Sequence, residues 1–470
     1  MKTILVNTNR VKPAIGPIGL EYVAEAVVRA GHEVRILDLS WADDCHSTIR
    51  DFFSRESADV VGLSLRNTDD CASSGPGSRR LFLGEFVDIV GEIRRNTDAL
   101  ILVGGVGFSI MPDKILEISG ADVGVWGEGE FVVPELLDRM QKNQSWSDLP
   151  NLVIYHKGTW HRNEPVFHPL SELPPMTRTL MDNQRYFLEG GQAGIETKRG
   201  CPKKCIYCAD PVAKGNHIRT RPPESVAWEL EQLLHQGIDS IHTCDSEFNI
   251  PEDHAMEVCG EIQRRGLGDK VRWYAYCSPT PFSRELARLM HQAGCVGINF
   301  GVDSGDSAIL KSLGRDFTPE DILQTVRICH EWGIVVMLDL LIGAPGESRE
   351  SIKNTVELMK KAEPDRVGVP VGVGVYPGTP LESMLRSGSV HKNHDMCLDD
   401  PLSPCFFLEP GIADSVFQIL DDLIGNDERF FFFDPTQPDR NYNYNANQAL
   451  IDAIGKGYRG AYWDILRRIH

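Results

Sequence analysis

Apolar residues in the first third of the chain fall into two patterns that alternate. Short apolar runs at residues 3–6 and 59–65 predict buried β-strands, whereas residues 19–30 carry apolar side chains at helical spacing. Strands that alternate with helices predict a parallel, doubly wound sheet of the Rossmann type, which binds ligands at the carboxyl ends of its strands. Further strands are predicted at 33–39, 100–103 and 123–126, and a further helix at 86–93.

The same alternation resumes at residue 194 with longer helices. Six strand-and-helix units predict a partial (β/α)6 barrel, in which functional residues lie at the carboxyl ends of the strands. The predicted strands are 195–198, 240–243, 272–276, 297–301, 335–342 and 367–375, and the predicted helices are 223–236, 251–265, 283–293, 319–332 and 349–362.

Proline-rich and mixed segments divide the chain into parts. We expect an N-terminal α/β domain at 1–145, a linker with a small hairpin (152–162) at 146–190, the barrel at 191–385 and a small, mostly helical region at 386–470. In that last region 414–423 has a helical pattern, and the four phenylalanines at 430–433 are more typical of core than of a binding site. The polar-aromatic stretch 441–445 is expected to help cover the barrel mouth and set the substrate.

Composition and charge restrict the classes of substrate and the location of the protein. The chain has 470 residues and a formal net charge of −19, which argues against a large nucleic-acid substrate. The sequence has no signal-peptide pattern and no apolar run of membrane-spanning length, so we expect a cytoplasmic protein. A small-molecule substrate and a monomer or weak dimer are expected.

Cys201, Cys205 and Cys208 form a CxxxCxxC motif. Three thiolates on one loop can hold a [4Fe–4S] cube and leave its fourth iron open. A zinc site would use paired CxxC or Cys/His ligands, and the nine other cysteines are scattered singly, as reduced thiols of a cytosolic protein are. The motif therefore predicts a cluster whose open iron binds a substrate or cofactor.

With an aromatic residue, Tyr207, before its third cysteine, this run resembles the radical S-adenosylmethionine (SAM) superfamily. The resemblance implies that SAM binds the open iron, that flavodoxin or ferredoxin supplies one electron, and that a 5′-deoxyadenosyl radical results. It implies that Tyr207 lies near the adenine, and that Asp303 and Ser304 contact the ribose or carboxylate of SAM. Arg315 could pair with that carboxylate or be a solvated surface charge. Ile342 belongs to the strand that backs the adenine.

Two acids follow the second barrel strand. In the radical SAM superfamily this region contacts the amino group of SAM and the substrate. Asp245 and Glu247 could bind an amine or move protons. The alternative is a turn that caps the helix beginning near Pro251.

Four N-terminal runs, at 17–34, 61–67, 103–109 and 127–130, resemble the cobalamin-binding domain of many radical SAM enzymes. The resemblance implies that cobalamin lies on loops that contain Gly104, Gly105, Gly107, Gly127 and Glu128. The loop 7–13 lacks the histidine that ligates cobalt in mutase-type domains. Arg66 could instead lie beneath the corrin, without ligating cobalt because it stays protonated. The alternative for Arg66 is a salt bridge with Asp69 or Asp70.

Two enzyme hypotheses remain. The first is a cobalamin-dependent radical SAM methyltransferase that methylates an unactivated carbon of a small molecule. The second is a radical SAM dehydratase or rearrangement enzyme that acts on an aminosugar or polyol, with an empty cobalamin-type domain. A third class, an iron–sulfur electron-transfer protein, would require a fourth cluster cysteine. The barrel motifs make a fourth cysteine unnecessary, so they favour the two enzyme hypotheses.

Overall fold

A seven-stranded sheet forms the centre of the N-terminal domain of this computed structural model, which describes residues 1–69, 82–156, 159–392, 396–400, 405–432 and 443–469. The strand order is β2-β1-β3-β4-β5-β6-β7, and the first five strands are parallel. The strands are β1 Lys2–Asn7, β2 Glu33–Asp38, β3 Val60–Ser64, β4 Leu100–Gly104, β5 Val123–Val125, β6 Leu152–His156 and β7 Thr159–Arg162.

Helices cover both faces of this sheet. Since β1, β3 and β4 are buried on both faces, they read as continuous apolar runs, as central parallel strands do. The helices are α1 Ile18–Arg29, α2 Cys45–Phe53, α3 Leu83–Asn96, α4 Val106–Ile110, α5 Pro112–Ser119 and α6 Gly129–Gln141, with a 3₁₀ turn at Leu39–Trp41. The predicted doubly wound domain is confirmed.

The barrel is a second seven-stranded sheet of parallel strands, in the order β18-β15-β14-β13-β12-β11-β8. Its strands are β8 Ala193–Ile195, β11 Ser240–Thr243, β12 Arg272–Cys277, β13 Cys295–Asp303, β14 Val335–Leu340, β15 Arg366–Val369 and β18 Phe430–Phe432, and short ribbons pair β9 Lys198–Arg199 with β10 Arg219–Thr220 and β16 Val373–Val375 with β17 Cys405–Phe407. The predicted strand 367–375 is therefore two strands. The buried Phe430–Phe432 form the added seventh strand, while Phe433 lies outside the described residues.

Helices pack on both faces of the barrel sheet. The outer layer buries its apolar faces against one large core that includes Trp273 and Ile298. On the opposite face of the sheet, α17 and α18 pack against Tyr274 and Met337. The helices are α7 Asn183–Gly190, α8 Asp210–Lys214, α9 Pro223–His235, α10 Glu252–Arg264, α11 Arg284–Gln292, α12 Ser307–Ser312, α13 Pro319–Glu331, α14 Arg349–Ala362, α15 Pro380–Ser387, α16 Val416–Ile424, α17 Gln448–Gly455 and α18 Tyr462–Ile469, with a 3₁₀ turn at Leu170–Glu172.

A buried ion network joins the two domains through the connecting segment. Arg178 Nε lies 2.6 Å from Glu21 Oε2 on α1, and its Nη1 lies 2.9 Å from Glu229 Oε1 on α9. Arg221 Nη1 lies 2.7 Å from the other oxygen of Glu229, and the Tyr22 hydroxyl donates to Glu229 as well. Because these groups are almost fully buried, the network holds α1 and α9 in one arrangement.

Over the described residues, no helix is both long enough and apolar enough to cross a membrane.

Candidate functional site: a cavity between the two domains

The cysteine loop follows β9 at the carboxyl side of the barrel. The Cys208 backbone N–H donates to the Cys205 carbonyl at 3.3 Å, which closes the loop on itself. Burial raises the pKa of all three thiols, and for Cys208 the nearby Asp210 raises the pKa further. One buried and two half-buried thiols that repel one another as thiolates need positive charge, which the irons of a cluster supply.

Within the described parts of the chain, no three His, Cys, Asp or Glu side chains converge closely enough to hold a single metal ion. A [4Fe–4S] cube places each thiolate on its own iron, so its ligands are spread more widely than those of one ion. Three cysteines on one loop are therefore a donor set that suits a cube with one open iron.

Arg315 lies beside the cysteine loop. Its side chain is 6% exposed, so it is not a solvated surface charge. Its Nη1 lies 3.0 Å from Cys205 Sγ, its Nε lies 3.2 Å from Asp303 Oδ2, and its Nη2 donates to the Gly301 carbonyl. A guanidinium at this distance favours the thiolate form of Cys205. Arg315 therefore links the cysteine loop to the end of β13.

Tyr207 and Asp303 are direct partners. The Tyr207 hydroxyl donates to Asp303 Oδ2 at 2.7 Å. Asp303 has φ +60° at the end of β13, a left-handed conformation that aspartate tolerates better than most residues. Ser304 is fully buried, and its hydroxyl hydrogen-bonds to Thr355 on α14. Asp303 thus lies with the cluster loop, whereas the Ser304 side chain is engaged by a neighbouring helix. Its contact with SAM stays a prediction.

The two acids after β11 have different surroundings. Asp245 accepts hydrogen bonds from the Thr197 N–H, the Thr197 hydroxyl and the Lys198 N–H, so both of its oxygens are engaged. This bonding favours a structural tie between neighbouring strands over proton transfer. Glu247 lies 4.0 Å from Arg315, and burial raises the pKa of Glu247 to about 7. The predicted catalytic roles of both acids remain predictions, with the surroundings favouring Glu247.

The turn after β14 carries Ile342 and Glu347. Ile342 is fully buried and forms an isolated bridge with Val371. One Glu347 oxygen accepts hydrogen bonds from the N–H groups of Gly343 and Ala344, so Glu347 caps the turn. Burial raises the pKa of Glu347 to about 7.

A cavity of about 460 Å³ lies between the two domains. Its volume is in the usual range for cofactor and ligand sites. One wall is formed by the carboxyl ends of the N-terminal strands, and the cavity continues as an apolar groove between the sheet and helices α1 and α6. The opposite wall comes from the barrel. Lining residues include Asn7, Arg66, Gly104, Gly105, Gly127, Glu128, Glu196, Arg199, Asp210, Lys214 and Cys244.

Glycines at this edge are required by the packing of neighbouring loops. A Cβ at Gly105, which has φ +100°, would lie 2.4 Å from the Leu65 carbonyl oxygen, and a Cβ at Gly107 would lie 2.9 Å from the Asn67 backbone. Gly104, Gly105 and Gly127 line the cavity, whereas Gly107 lies behind the loop of Asn67. The predicted glycines therefore lie close together. At Gly105 and Gly107, however, the group that approaches closely is the protein's own backbone and not a ligand.

Arg66 extends into the cavity at the end of β3. No ion pair joins it to any residue in the described segments, and Asp69 is hydrogen-bonded to Thr68 instead. Asp70 lies outside the described residues. Desolvation within the cavity raises the pKa of the barrel thiol Cys244 to about 11, and the positive charge of Arg66 acts in the opposite direction. Arg66 is thus a cation on the cavity wall that faces the barrel.

Sequence reasoning missed a group of charged residues in the cavity wall. Arg199 contacts Glu128, Glu130 and Glu196, and Lys214 on α8 lies 3.6 Å from Asp210. Their only sequence signals were the position of Arg199 two residues before Cys201 and the four-residue spacing of Asp210 and Lys214.

The residues fit the two implied cofactors. Three thiols on one loop, with a guanidinium beside one of them, suit an iron–sulfur cube. A cavity that begins at the carboxyl edge of a parallel sheet and continues as an apolar groove suits a corrin with an attached nucleotide. Asp303 and Tyr207 are placed beside the cysteine loop, where SAM would bind.

Comparisons with known proteins agree with this arrangement. Residues 195–359 match the Radical SAM superfamily, and residues 4–137 match the B12 binding domain. The chain is 29% identical to the tryptophan 2-C-methyltransferase of Streptomyces laurentii, over 98% of this chain and 94% of that protein.

Two solved structures of the radical SAM methyltransferase TsrM from Kitasatospora setae are also similar. The structure with tryptophan and a SAM analogue is 30% identical, covers 99% of this chain and 97% of that chain, and has a TM-score of 0.88. The structure with cobalamin and a [4Fe–4S] cluster is 29% identical over the same shares, with a TM-score of 0.89. The chain therefore belongs to the radical SAM superfamily, among the methyltransferases that carry a B12-binding domain in front of the radical SAM domain.

Proposed function

We propose that this protein methylates a carbon of a small aromatic amino acid, of which tryptophan is the leading candidate. The observation that carries the proposal is the cavity of about 460 Å³ whose walls come from the B12-binding domain and from the barrel. Likeness to a tryptophan methyltransferase extends over 98% of the chain, and so includes the C-terminal region that packs against the barrel.

When bound, the cluster supplies an electron to the SAM site and cobalamin carries the methyl group. Cys201, Cys205 and Cys208 would hold the cluster, and Arg315 would stabilise the thiolate form of Cys205. Asp303, held by Tyr207, would orient SAM. The protein supplies position and exclusion of water, while the cofactors carry the difficult chemistry.

On the N-terminal side, the loops of Gly104, Gly105, Gly127 and Glu128 would hold the corrin. Arg66 has no ion-pair partner in the described chain, so it is free to lie against the face of the corrin. A permanently protonated guanidinium has no lone pair to donate, so Arg66 would contact the corrin without ligating cobalt.

Charges on the barrel wall suit an amino-acid substrate. Lys214 and Asp210 form an ion pair with a long separation of 3.6 Å, and both line the cavity. An α-carboxylate could bind Lys214 while the α-ammonium binds Asp210. The exposed ring of Tyr276, at the end of β12, offers an aromatic surface for the side chain.

The experiment is anaerobic turnover of the reconstituted protein with tryptophan, SAM carrying a deuterated methyl group, and a one-electron reductant. Mass spectrometry should show labelled methyl on a carbon of the product. Lys214→Met should raise the KM for the amino acid about tenfold, as loss of a charge-assisted hydrogen bond does, whereas the exposed Lys142→Met should not. Absence of labelled product from tryptophan and from related aromatic amino acids would contradict the proposal.

We further propose a cytoplasmic monomer or weak dimer that takes its electron from flavodoxin or ferredoxin. Gel filtration and reduction by purified flavodoxin test these points.

A further inference from the structure

One buried ion network connects the two cofactor-binding loops. It consists of two arginines of the barrel and three glutamates from both domains, and we call it the Arg199 network. Its members are Arg199, Arg219, Glu196, Glu128 and Glu130.

Arg199 lies at the centre of this network. Its Nη2 lies 2.6 Å from Glu130 Oε1 and its Nη1 lies 3.4 Å from Glu128 Oε1, both in the N-terminal domain. Its Nε lies 2.7 Å from Glu196 Oε2, in the barrel. Since the side chain of Arg199 is only 8% exposed, these contacts are poorly screened by solvent. One guanidinium therefore bridges the two domains.

The second arginine strengthens the same bridge. Arg219 pairs with Arg199 across the β9–β10 ribbon, and its Nη1 lies 2.6 Å from Glu128 Oε1. Its Nη2 donates to the Lys214 carbonyl at 2.9 Å, on the helix that follows the cysteine loop. Both ends of the cysteine loop are thus tied to Glu128.

The connection from Arg199 to the first cluster cysteine is rigid. Only Gly200 separates Arg199 from Cys201, and Gly200 has φ +85°. A Cβ at Gly200 would lie 2.0 Å from the His217 carbonyl oxygen, so the backbone there is closely packed. A shift of Arg199 would therefore be passed on to Cys201.

We propose that Arg199 is a positioning residue that sets the spacing between the cluster and the corrin. This inference rests on the proposed function, in which both groups are bound. Arg199 needs no contact with either group, because it acts through the loop of Cys201 on one side and through the loop of Glu128 and Glu130 on the other. A displacement of about 1 Å in such a site can lower the rate about 10²-fold.

The test uses Arg199→Lys, which keeps the charge but loses the planar fork that reaches three carboxylates. Glu130→Gln is a second variant that weakens the bridge from the other domain. Arg139→Gln is the control, because Arg139 is a partly exposed arginine that also pairs with two carboxylates, Glu135 and Asp148.

Three quantities are measured on the anaerobically reconstituted full chain: iron and cobalt per chain, the magnetic dipolar coupling between cob(II)alamin and the reduced cluster, and steady-state kinetics. In Arg199→Lys and Glu130→Gln we expect wild-type metal content, an altered coupling, and a kcat that is about 10–100-fold lower with little change in KM. The control should match wild type in all three.

Unchanged coupling and kcat in variants that hold both groups would overturn the inference. Loss of activity that merely follows loss of iron or cobalt would overturn it too, because that result indicates a binding role. If the wild-type protein itself retained no corrin, that result would contradict the proposed function, whatever the variants showed. The two failures are therefore distinguishable.

Discussion

Replacement of Arg178 by methionine tests whether the buried interdomain network holds the two domains together. Arg178 contacts Glu21 at 2.6 Å and Glu229 at 2.9 Å, and its side chain is 2% exposed. Arg178→Met keeps the approximate volume and removes the charge, which leaves two buried carboxylates with fewer partners. Removal of one partner from a buried ion pair costs about 3–5 kcal/mol.

The structure places this variant near the lower end of that range. Glu229 keeps Arg221 at 2.7 Å, and Glu21 keeps the hydrogen bond from Asn183 at 2.9 Å. We therefore expect a loss of about 3 kcal/mol, which corresponds to a decrease of roughly 6–12 °C in Tm for a domain of this size.

The assay is thermal unfolding followed by far-UV circular dichroism and by tryptophan fluorescence. Arg139→Met is the control, since Arg139 makes exposed ion pairs that contribute about 0.2–1 kcal/mol. Arg178→Lys should recover part of the loss, because a lysine can reach one carboxylate. A Tm for Arg178→Met that equals the Tm of the control would refute the reasoning.

Three further predictions concern the site. Cys205→Ala should lose the bound iron and abolish methylation while the chain stays folded, as measured by iron analysis and circular dichroism. Gly105→Ala should lower cobalamin retention without loss of iron, because the added Cβ meets the Leu65 carbonyl; equal loss of both would contradict this. Tyr207→Phe removes the hydrogen bond to Asp303 and should weaken SAM binding about tenfold by equilibrium dialysis; unchanged affinity would contradict the assigned contact.

Much of the fold could be predicted from local patterns. The strand at 240–243 and the helix at 349–362 agree with the structure residue for residue, because each has a clear apolar period and clear ends. The hairpin at 152–162 was predicted, but its antiparallel pairing with β5 was not. Such pairing depends on a partner strand distant in sequence, which no local pattern reports.

The seventh barrel strand shows the same limit. Phe430–Phe432 could be assigned to the core by their apolar character, yet only the free edge of β15 makes them a strand. The break within 367–375 follows from Pro370, which has no N–H for a strand ladder.

The cluster loop could be proposed from the sequence because its candidate ligands are closely spaced. The three cysteines and Tyr207 lie within one loop, so the motif contains its own geometry. Arg199 was missed, because its partners Glu128 and Glu130 lie about 70 residues earlier in the chain. Long-range ion pairs leave no periodic signal in the sequence.

Cofactor retention tests the central claim most directly, since the account requires a cluster on the cysteine loop and a corrin in the cavity between the two domains. The protein is reconstituted anaerobically with iron, sulfide and hydroxocobalamin, desalted, and analysed for metals. We predict about one cobalt and about four irons per chain. Retention of iron without cobalt would contradict the account, because the cavity between the two domains would then not hold a corrin.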